Sequence, residues 1–374
     1  MLCTGKQMVR PQNGAGVMRL MASCVGWCWL AAGLSGPVVG QTRCEVVPLD
    51  GHQVAFTIDG VEKLRWNFGE DYPRPYFFPL HGPAGGQLTR MGHPGAPDHD
   101  HHQSVWFAHH KVGGWDFWSN RSQTRVRQQQ WLAYQDGAEE AVMAVRLAWL
   151  DPQGREVLQQ ELIVALMPVP PGGLPGDAAG DAAEKPVATG VETASQDYAL
   201  ELQSRFSPGR DYPQVQLEQT NFGFLAVRVA KSLSAHFGGG QLTNSEGGVG
   251  EQACFGKAAR WMDYSGPLSV GLGPQRQTVT AGITFYDHPH NPRYPTHWHV
   301  RQDGWMGAAF GLAEPAHISA AQPLELRYLL LAHQGVYEPQ RAEQVAAEFA
   351  KRPPLELVPK PQPHVQFGVR RQPR

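Results

Sequence analysis

The sequence predicts an all-β protein, a large antiparallel β-sandwich with a short C-terminal helix. Three observations carry that expectation. Apolar residues recur at every second position over long stretches, 42 glycines and 31 prolines among 374 residues punctuate the chain, and a single segment shows a convincing helical period. Apolar residues make up 41% and charged residues 18% of the chain, a balance that supports a packed core without disulfide staples.

Taken in order, residues 1–40 place Arg19 ahead of an apolar run from Leu20 that closes on the small residues Val38, Val39 and Gly40. This is the layout of a secretory signal, with Met18 as the natural start. The expected product is periplasmic or secreted. No later stretch approaches the ~20 apolar residues that a helix needs to span a bilayer. A single domain then covers 41–352, with strands expected at 54–58, 126–134, 198–206, 224–229, 279–286, 304–312 and 324–332. The clearest hairpin alternates Ala141, Met143, Val145, Leu147 and Trp149, turns at Asp151-Pro152-Gln153-Gly154, and resumes with Leu158, Leu162 and Val164. Residues 168–195 have almost nothing to bury and read as a flexible surface insertion. The helix is 340–351, with Val345, Ala346 and Phe349 on one face. The proline-rich segment 353–374 is expected to be a disordered tail. Removal of the signal leaves Cys44 and Cys254, for which a disulfide and two separate buried thiols are both open.

Charge bounds the partners. Lysine and arginine number 32 against 34 acids, so no basic footprint for nucleic acid is present. No glycine-rich phosphate loop and no Gly-x-Ser-x-Gly elbow occurs, which removes support for nucleotide-driven and serine-hydrolase chemistry. The unusual entries are 16 histidines and 11 tryptophans. Six histidines fall between His93 and His110, where a Pro/Gly loop runs into an apolar strand. On an extended backbone His99 and His101 share a face and His102 points the other way. A second His-x-His, His297 and His299, has Trp298 on its opposite face. If the two strands are neighbours, the four imidazoles His99, His101, His297 and His299 can hold a divalent metal ion, with identity open. Acid/base catalysis by histidine without a metal is the competing account, with His102 as a separate proton-transfer group.

Asp98, Asp287 and Glu246 are the candidate partner carboxylates. Trp118 and Trp298 offer aromatic faces of the kind on which the C–H face of a sugar stacks. Arg74 and Arg293, each beside rigid prolines, are candidate anchors for a substrate's hydroxyls or carboxylate. The alternatives for these residues are core packing for the aromatics, solvated loops for the acids and structural ion pairs for the arginines.

Residues 74–79 (RPYFFP), 98–107 (DHDHHQSVWF), 114–118 (GWDFW), 244–247 (NSEG), 259–264 (ARWMDY) and 287–293 (DHPHNPR) together resemble the bacterial family labelled PmoA-like, or methane oxygenase PmoA. The resemblance covers roughly residues 50–340. Asp100 and the 168–195 insertion depart from the family's pattern. The label implies a metal-dependent oxygenase, whereas relatives that look like exported or soluble proteins of carbohydrate-degrading bacteria imply sugar-related chemistry. The expected function is an exported carbohydrate-active enzyme, acting by hydrolysis or elimination on a small-molecule or oligosaccharide substrate. A non-catalytic carbohydrate-binding module is the alternative from a different class.

Overall fold

A computed structural model describes residues 42–93, 95–171, 173–175 and 197–373. The expected signal at 1–40 and most of the insertion at 168–195 lie outside the described residues. Two eight-stranded antiparallel sheets form a sandwich. The first runs in the order β1 (Cys44–Leu49), β2 (Gln53–Ile58), β3 (Val61–Asn67), β4 (Tyr76–Leu80), β5 (Val105–His109), β11 (Gly223–Arg228), β16 (Trp305–Ala308) and β15 (Trp298–Arg301). The second runs β12 (Gln241–Asn244), β13 (Trp261–Val270), β14 (Gln277–Asp287), β18 (Leu324–Gln334), β9 (Tyr198–Pro208), β8 (Glu156–Pro168), β7 (Ala141–Leu150) and β6 (Arg125–Gln135). Two hairpin-like pairs, β10 (Gln214–Leu217) with β17 (Ala316–Ser319) and β19 (Leu355–Gln362) with β20 (Val365–Arg371), complete the strands. The helices are α1 (Ala235–Gly238), α2 (Gly250–Cys254) and α3 (Pro339–Lys351). All-β architecture with a short C-terminal helix is thus what the chain adopts.

Period-two patterning sets the three layers. Phe107, Phe224, Trp149 and Phe206 point between the sheets, where Phe206 and Phe224 meet at 4.8 Å between ring centroids and Phe107 and Phe206 at 6.2 Å. The alternate residues point outward. On the second sheet these are Trp261, Tyr286, Leu329 and Leu331, and Ala342, Val345 and Phe349 of α3 cover them. On the first sheet the outward residues are Trp106, Ala108, Ala226 and Trp305, buried by Trp118 and partly by Tyr76 and Phe222, with no comparable helix on them among the described residues. Cys44 and Cys254 are separate buried thiols, and burial pushes the first up to about 12 and the second to about 11. Among the described residues no helix is long and apolar enough to cross a membrane.

The segment after residue 352 corrects the expectation of a disordered tail. β19 and β20 pair from Leu355 with Arg371 to Gln362 with Val365, and Leu355 and Val369 enter the outer cluster beneath α3. Proline content misleads here because Pro359 sits in a two-stranded ribbon, where half of the backbone N–H groups need no partner. The hairpin is fixed by charge. Fully buried Glu201 on β9 receives Arg327 at 2.6 Å, Arg371 at 2.8 Å and Arg352 at 3.4 Å, and Glu140 pairs with Arg371 and Arg352 at 2.6 and 3.1 Å. Burial alone would raise the Glu201 carboxyl, but Arg371 and Arg327 bring it down to about 2.

Glu201→Ala leaves three guanidinium groups crowded in a dry site, so urea unfolding should show a loss of about 3–5 kcal/mol. Because the folded-state value of Glu201 lies below the unfolded one, its stabilisation is present above the ordinary glutamate range and disappears as pH falls toward 2. Acid titration of the wild type and of Glu201→Gln should therefore converge at low pH. A variant as stable as the wild type at neutral pH would contradict this role.

Candidate active site

The outward face of the first sheet carries a cleft of about 400 Å³, lined by Asp98, His99, His101, His102, Trp118, Phe222, Arg228, His299, Arg301, Asp303 and Trp305. Strand parity supplies its base. Residues 299 and 301 of β15, 226 and 228 of β11 and 305 of β16 face outward while Trp298, Val300, Leu225, Val227 and Met306 face the core. Gly307 stands beside Trp305, and a Cβ there would approach the indole to 3.3 Å. A side chain there would press on the ring, so the indole packs directly over the glycine.

The histidine loop forms the wall. Pro97–His99 is one turn of 3-10 helix, and the strand begins only at Val105. Alternation therefore does not apply to His99, His101 and His102, and all three gather in the cleft. His99 and His101 stack at 5.7 Å, and His102 meets His101 at 4.4 Å and His99 at 5.1 Å. This corrects the expected opposite orientation of His102. The loop is closed by Gly92 N–H donating to His102 O at 2.7 Å, by Ser104 Oγ donating to Thr89 Oγ1 at 2.6 Å, and by Ser104 O accepting from Arg228 N–H at 2.7 Å. Ser104 itself has a φ of +61°, which turns the chain into β5.

Trp118 is held from below. Asp116 Oδ1 accepts from the backbone N–H of Trp118 at 2.7 Å and of Ser119 at 3.1 Å. Arg74 donates to Trp118 O at 2.8 Å, and to Gln103 Oε1 and Asn120 Oδ1 at 3.0 Å each. Arg74 is only 2% exposed, and burial brings its guanidinium down to about 10. It therefore joins the aromatic loop to the histidine loop from beneath and does not line the cleft, a bracing position in place of the expected anchoring one. Trp118 then stands 5.3 Å from Trp305 and 5.2 Å from Phe222 between ring centroids, the aromatic side of the cleft.

Burial holds the imidazoles of His101, His102 and His299 neutral. Burial, with Arg74 nearby, brings His101 down to about 4. Burial likewise brings His299 to about 4 despite its hydrogen bond to Asn221 O at 3.0 Å. That bond fixes the proton on Nδ1 and leaves Nε2 with its lone pair. His102 is pushed further down, by burial first and by Arg228 next. Arg228, buried on β11, forms a two-pronged pair with Asp303 at 2.8 and 3.0 Å, and His93 Nε2 meets the same carboxylate at 2.7 Å. Burial would raise Asp303, but Arg228 and His93 pull it below the usual carboxylate range.

The remaining expected site residues lie elsewhere. His297 precedes β15 and does not line the cleft, so the four-imidazole centre is not assembled. Trp298, on the face opposite His299 as parity requires, is core and donates to Ala259 O at 2.8 Å. Asp287 is 4% exposed, accepts from Asn291 Nδ2 at 2.7 Å and from Thr296 N–H at 2.8 Å, and braces the 287–296 loop. Burial pushes its carboxyl up to about 7. Arg293 donates to the carbonyls of Phe310, Glu314 and Pro315 and lies over the Phe310 ring at 4.5 Å. Glu246 sits in an exposed turn, accepting from Ser245 Oγ at 2.8 Å with Arg260 3.7 Å away. Among the described residues no group of three or more His, Cys, Asp or Glu is arranged to hold a metal ion. His99 Nδ1 engages Asp98 and His299 Nδ1 engages the Asn221 carbonyl, contacts that orient each ring and leave Nε2 as the atom available to a ligand.

Sequence reasoning missed Phe222, Arg228, Arg301, Asp303 and Trp305. Arg228 had a signal, a lone charge inside the apolar run Phe224-Leu225-Ala226-Val227. A charge placed there has to be paired.

A β-sandwich bearing an imidazole and tryptophan cleft on its uncovered sheet face defines the class of protein. Residues 53–347 match the family of unknown function DUF6807, and the chain belongs to that family. No curated protein matches it.

Removing one member of the buried pair isolates the other. Asp303→Ala should cost about 3–5 kcal/mol in chemical denaturation, because it strands Arg228 in the sheet. An effect below about 1 kcal/mol, the range of surface pairs, would show that the pair does not organise the cleft.

Proposed function

We propose that the protein is an exported carbohydrate-active enzyme whose cleft seats a sugar beside Phe222, over a floor that Trp118 and Trp305 build, and presents it to neutral imidazoles. The observation that carries this reading is the gathering of aromatic rings and imidazoles, packed on one another, around one cleft of about 400 Å³. Sugar rings offer C–H faces to aromatic rings and hydroxyls to polar side chains, and pockets with a few converging polar groups are the usual seats of such ligands.

Elimination is favoured over hydrolysis by the state of the carboxylates. Two-carboxylate hydrolysis needs one acid and one base or nucleophile flanking the scissile bond. In this cleft Asp303 is engaged by Arg228 and His93, and Asp98 is on the exposed rim beside His99. An imidazole held neutral is instead a general base. His299, through Nε2, or His101 would take a proton from a sugar carbon made acidic by a neighbouring carbonyl or carboxyl group. The C–H electron pair becomes the new C=C bond, the adjacent C–O bond breaks with its electrons, and the departing oxygen is protonated by the imidazolium that the base has become or by water.

Incubation with a panel of glycosides, read by ultraviolet absorbance of an unsaturated product and by reducing ends, tests the reading. Unsaturated product supports it, reducing ends without unsaturation point to hydrolysis, and binding without turnover points to a carbohydrate-binding module. His101→Ala and His299→Ala should each be assayed, and the variant lacking the base should lose about 10²–10⁴-fold in kcat, with Trp118→Ala weakening binding. Since the base must be unprotonated, kcat/KM should hold level across the neutral range and fall as pH drops through about 4, where His101 and His299 take up protons. An acid limb at the ordinary histidine value of about 6.5 would contradict the assignment.

A further inference from the structure

A second groove, of about 800 Å³, lies between the β1–β2 turn and the start of β6 and shares no residue with the cleft. His52, Phe68, Glu70, Asp71, Gln128 and Gln129 help to line it. A row of rings borders it. Phe68 meets His52 at 5.5 Å and Trp131 at 5.4 Å between centroids, and Tyr134 stands 6.3 Å from Trp131, each pair edge to face. Among the described tryptophans Trp131 alone is exposed, at 36%, and Tyr134 is 56% exposed. One exposed apolar residue needs no explanation, but rings in contact along a groove do. The sequence also bends the strand to present them. β6 shifts register on both sides of Trp131, between Gln128 and Gln130 and between Trp131 and Ala133, so Leu132 and Ala133 are both buried while Trp131 and Tyr134 both face solvent.

Charge and backbone limit what can lie there. β6 is the edge of its sheet, and an edge bent by bulges is a poor template for strand addition by another chain. Two acids, Glu70 and Asp71, stand beside two arginines, Arg125 and Arg127. The guanidinium of Arg125 is spent on the carbonyls of Ser122 and Thr124, and that of Arg127 on those of Tyr72, Pro73 and Val126. The groove therefore offers no cation to a polyanion. What it offers is apolar ring surface, the amide of Gln129, which both donates and accepts, and carboxylates that accept. A sugar complements that set, because its C–H faces pack on rings and its hydroxyls donate and accept at once. We propose that this edge is a second carbohydrate surface, on which a neutral polysaccharide chain packs against Trp131 and Tyr134 and hydrogen-bonds to Gln129, Glu70 and Asp71. The ligand class rests on the carbohydrate reading above, while the residues are separate from those of the cleft.

The test is affinity electrophoresis of the full chain in native gels containing hydroxyethyl cellulose, xyloglucan, galactomannan or pullulan, with polygalacturonate as the acidic comparison. At least one neutral polymer should retard the protein. Trp131→Ala and Tyr134→Ala should each raise the apparent Kd about tenfold, the scale of one aromatic contact, whereas Phe222→Ala, in the cleft, should leave it unchanged. Both rings are exposed, so each variant should keep the wild-type thermal melt, and either one alone suffices if the other unfolds. Retardation lost only in Phe222→Ala would overturn the second surface and leave the sugar cleft standing. Retardation in no neutral gel, or by polygalacturonate alone, would also overturn it, with the cleft judged separately by the glycoside panel. A wild-type dimer that Trp131→Ala dissociates in gel filtration would make the rings an interface between copies and overturn it as well.

Discussion

The pair between Arg228 and Asp303 is the constraint from which the cleft follows. A guanidinium on the outward side of an otherwise apolar strand, with its residue fully buried, is tolerable only when a carboxylate meets it in good geometry. Asp303, in the turn joining β15 to β16, provides that partner through both oxygens. The turn is thereby pulled across β11, which sets Trp305 and His299 over the sheet. The same carboxylate receives His93, tying the start of the histidine loop to the far side of the sheet. Arg90 adds to the closure by donating to Asp303 O at 2.8 Å and Val229 O at 3.1 Å. One ion pair thus registers three strands and the loop that carries the imidazoles.

The two sheets differ in what covers them, and that difference explains where chemistry can occur. The second sheet is closed by α3 and by the β19–β20 hairpin, whose attachment relies on the arginines around Glu201. Its outward face becomes a second core. The first sheet presents tryptophans and histidines instead of aliphatic residues, and its loops bury the indoles while leaving His99, His101 and Phe222 reachable at the surface. A concavity that joins apolar rings to a few converging polar groups is the usual form of a ligand site.

Much of this was legible from periodicity. The strands at 141–150 and 156–168, the sandwich class and the helix at 339–351 follow from patterns of two and of 3.6 residues, because those patterns are the geometric signature of half-buried elements. The gathering of His99, His101, His102 and His299 was legible as composition, yet its geometry was not. Parity placed His299 and Trp298 on opposite faces as found, but it failed for His102 because residues 97–99 form a helical turn. It also argued against Trp298 as a ligand-contacting residue, since the face opposite the histidine is the core. Asp287, Glu246 and Arg293 illustrate a different limit. Each carries reactive chemistry in sequence, and only tertiary contacts reveal that their hydrogen bonds brace loops. The C-terminal prolines misled for a related reason, as a ribbon anchored by buried charge tolerates them.

Burial that brings His101 and His299 to about 4 keeps them ready to accept a proton, but a group with so low a value is a weak base. A negative charge brought alongside favours the protonated form and raises such values. An anionic substrate drawn into the cleft would therefore strengthen the base at the moment it binds, whereas a neutral one would leave the imidazoles as weak as in the free protein.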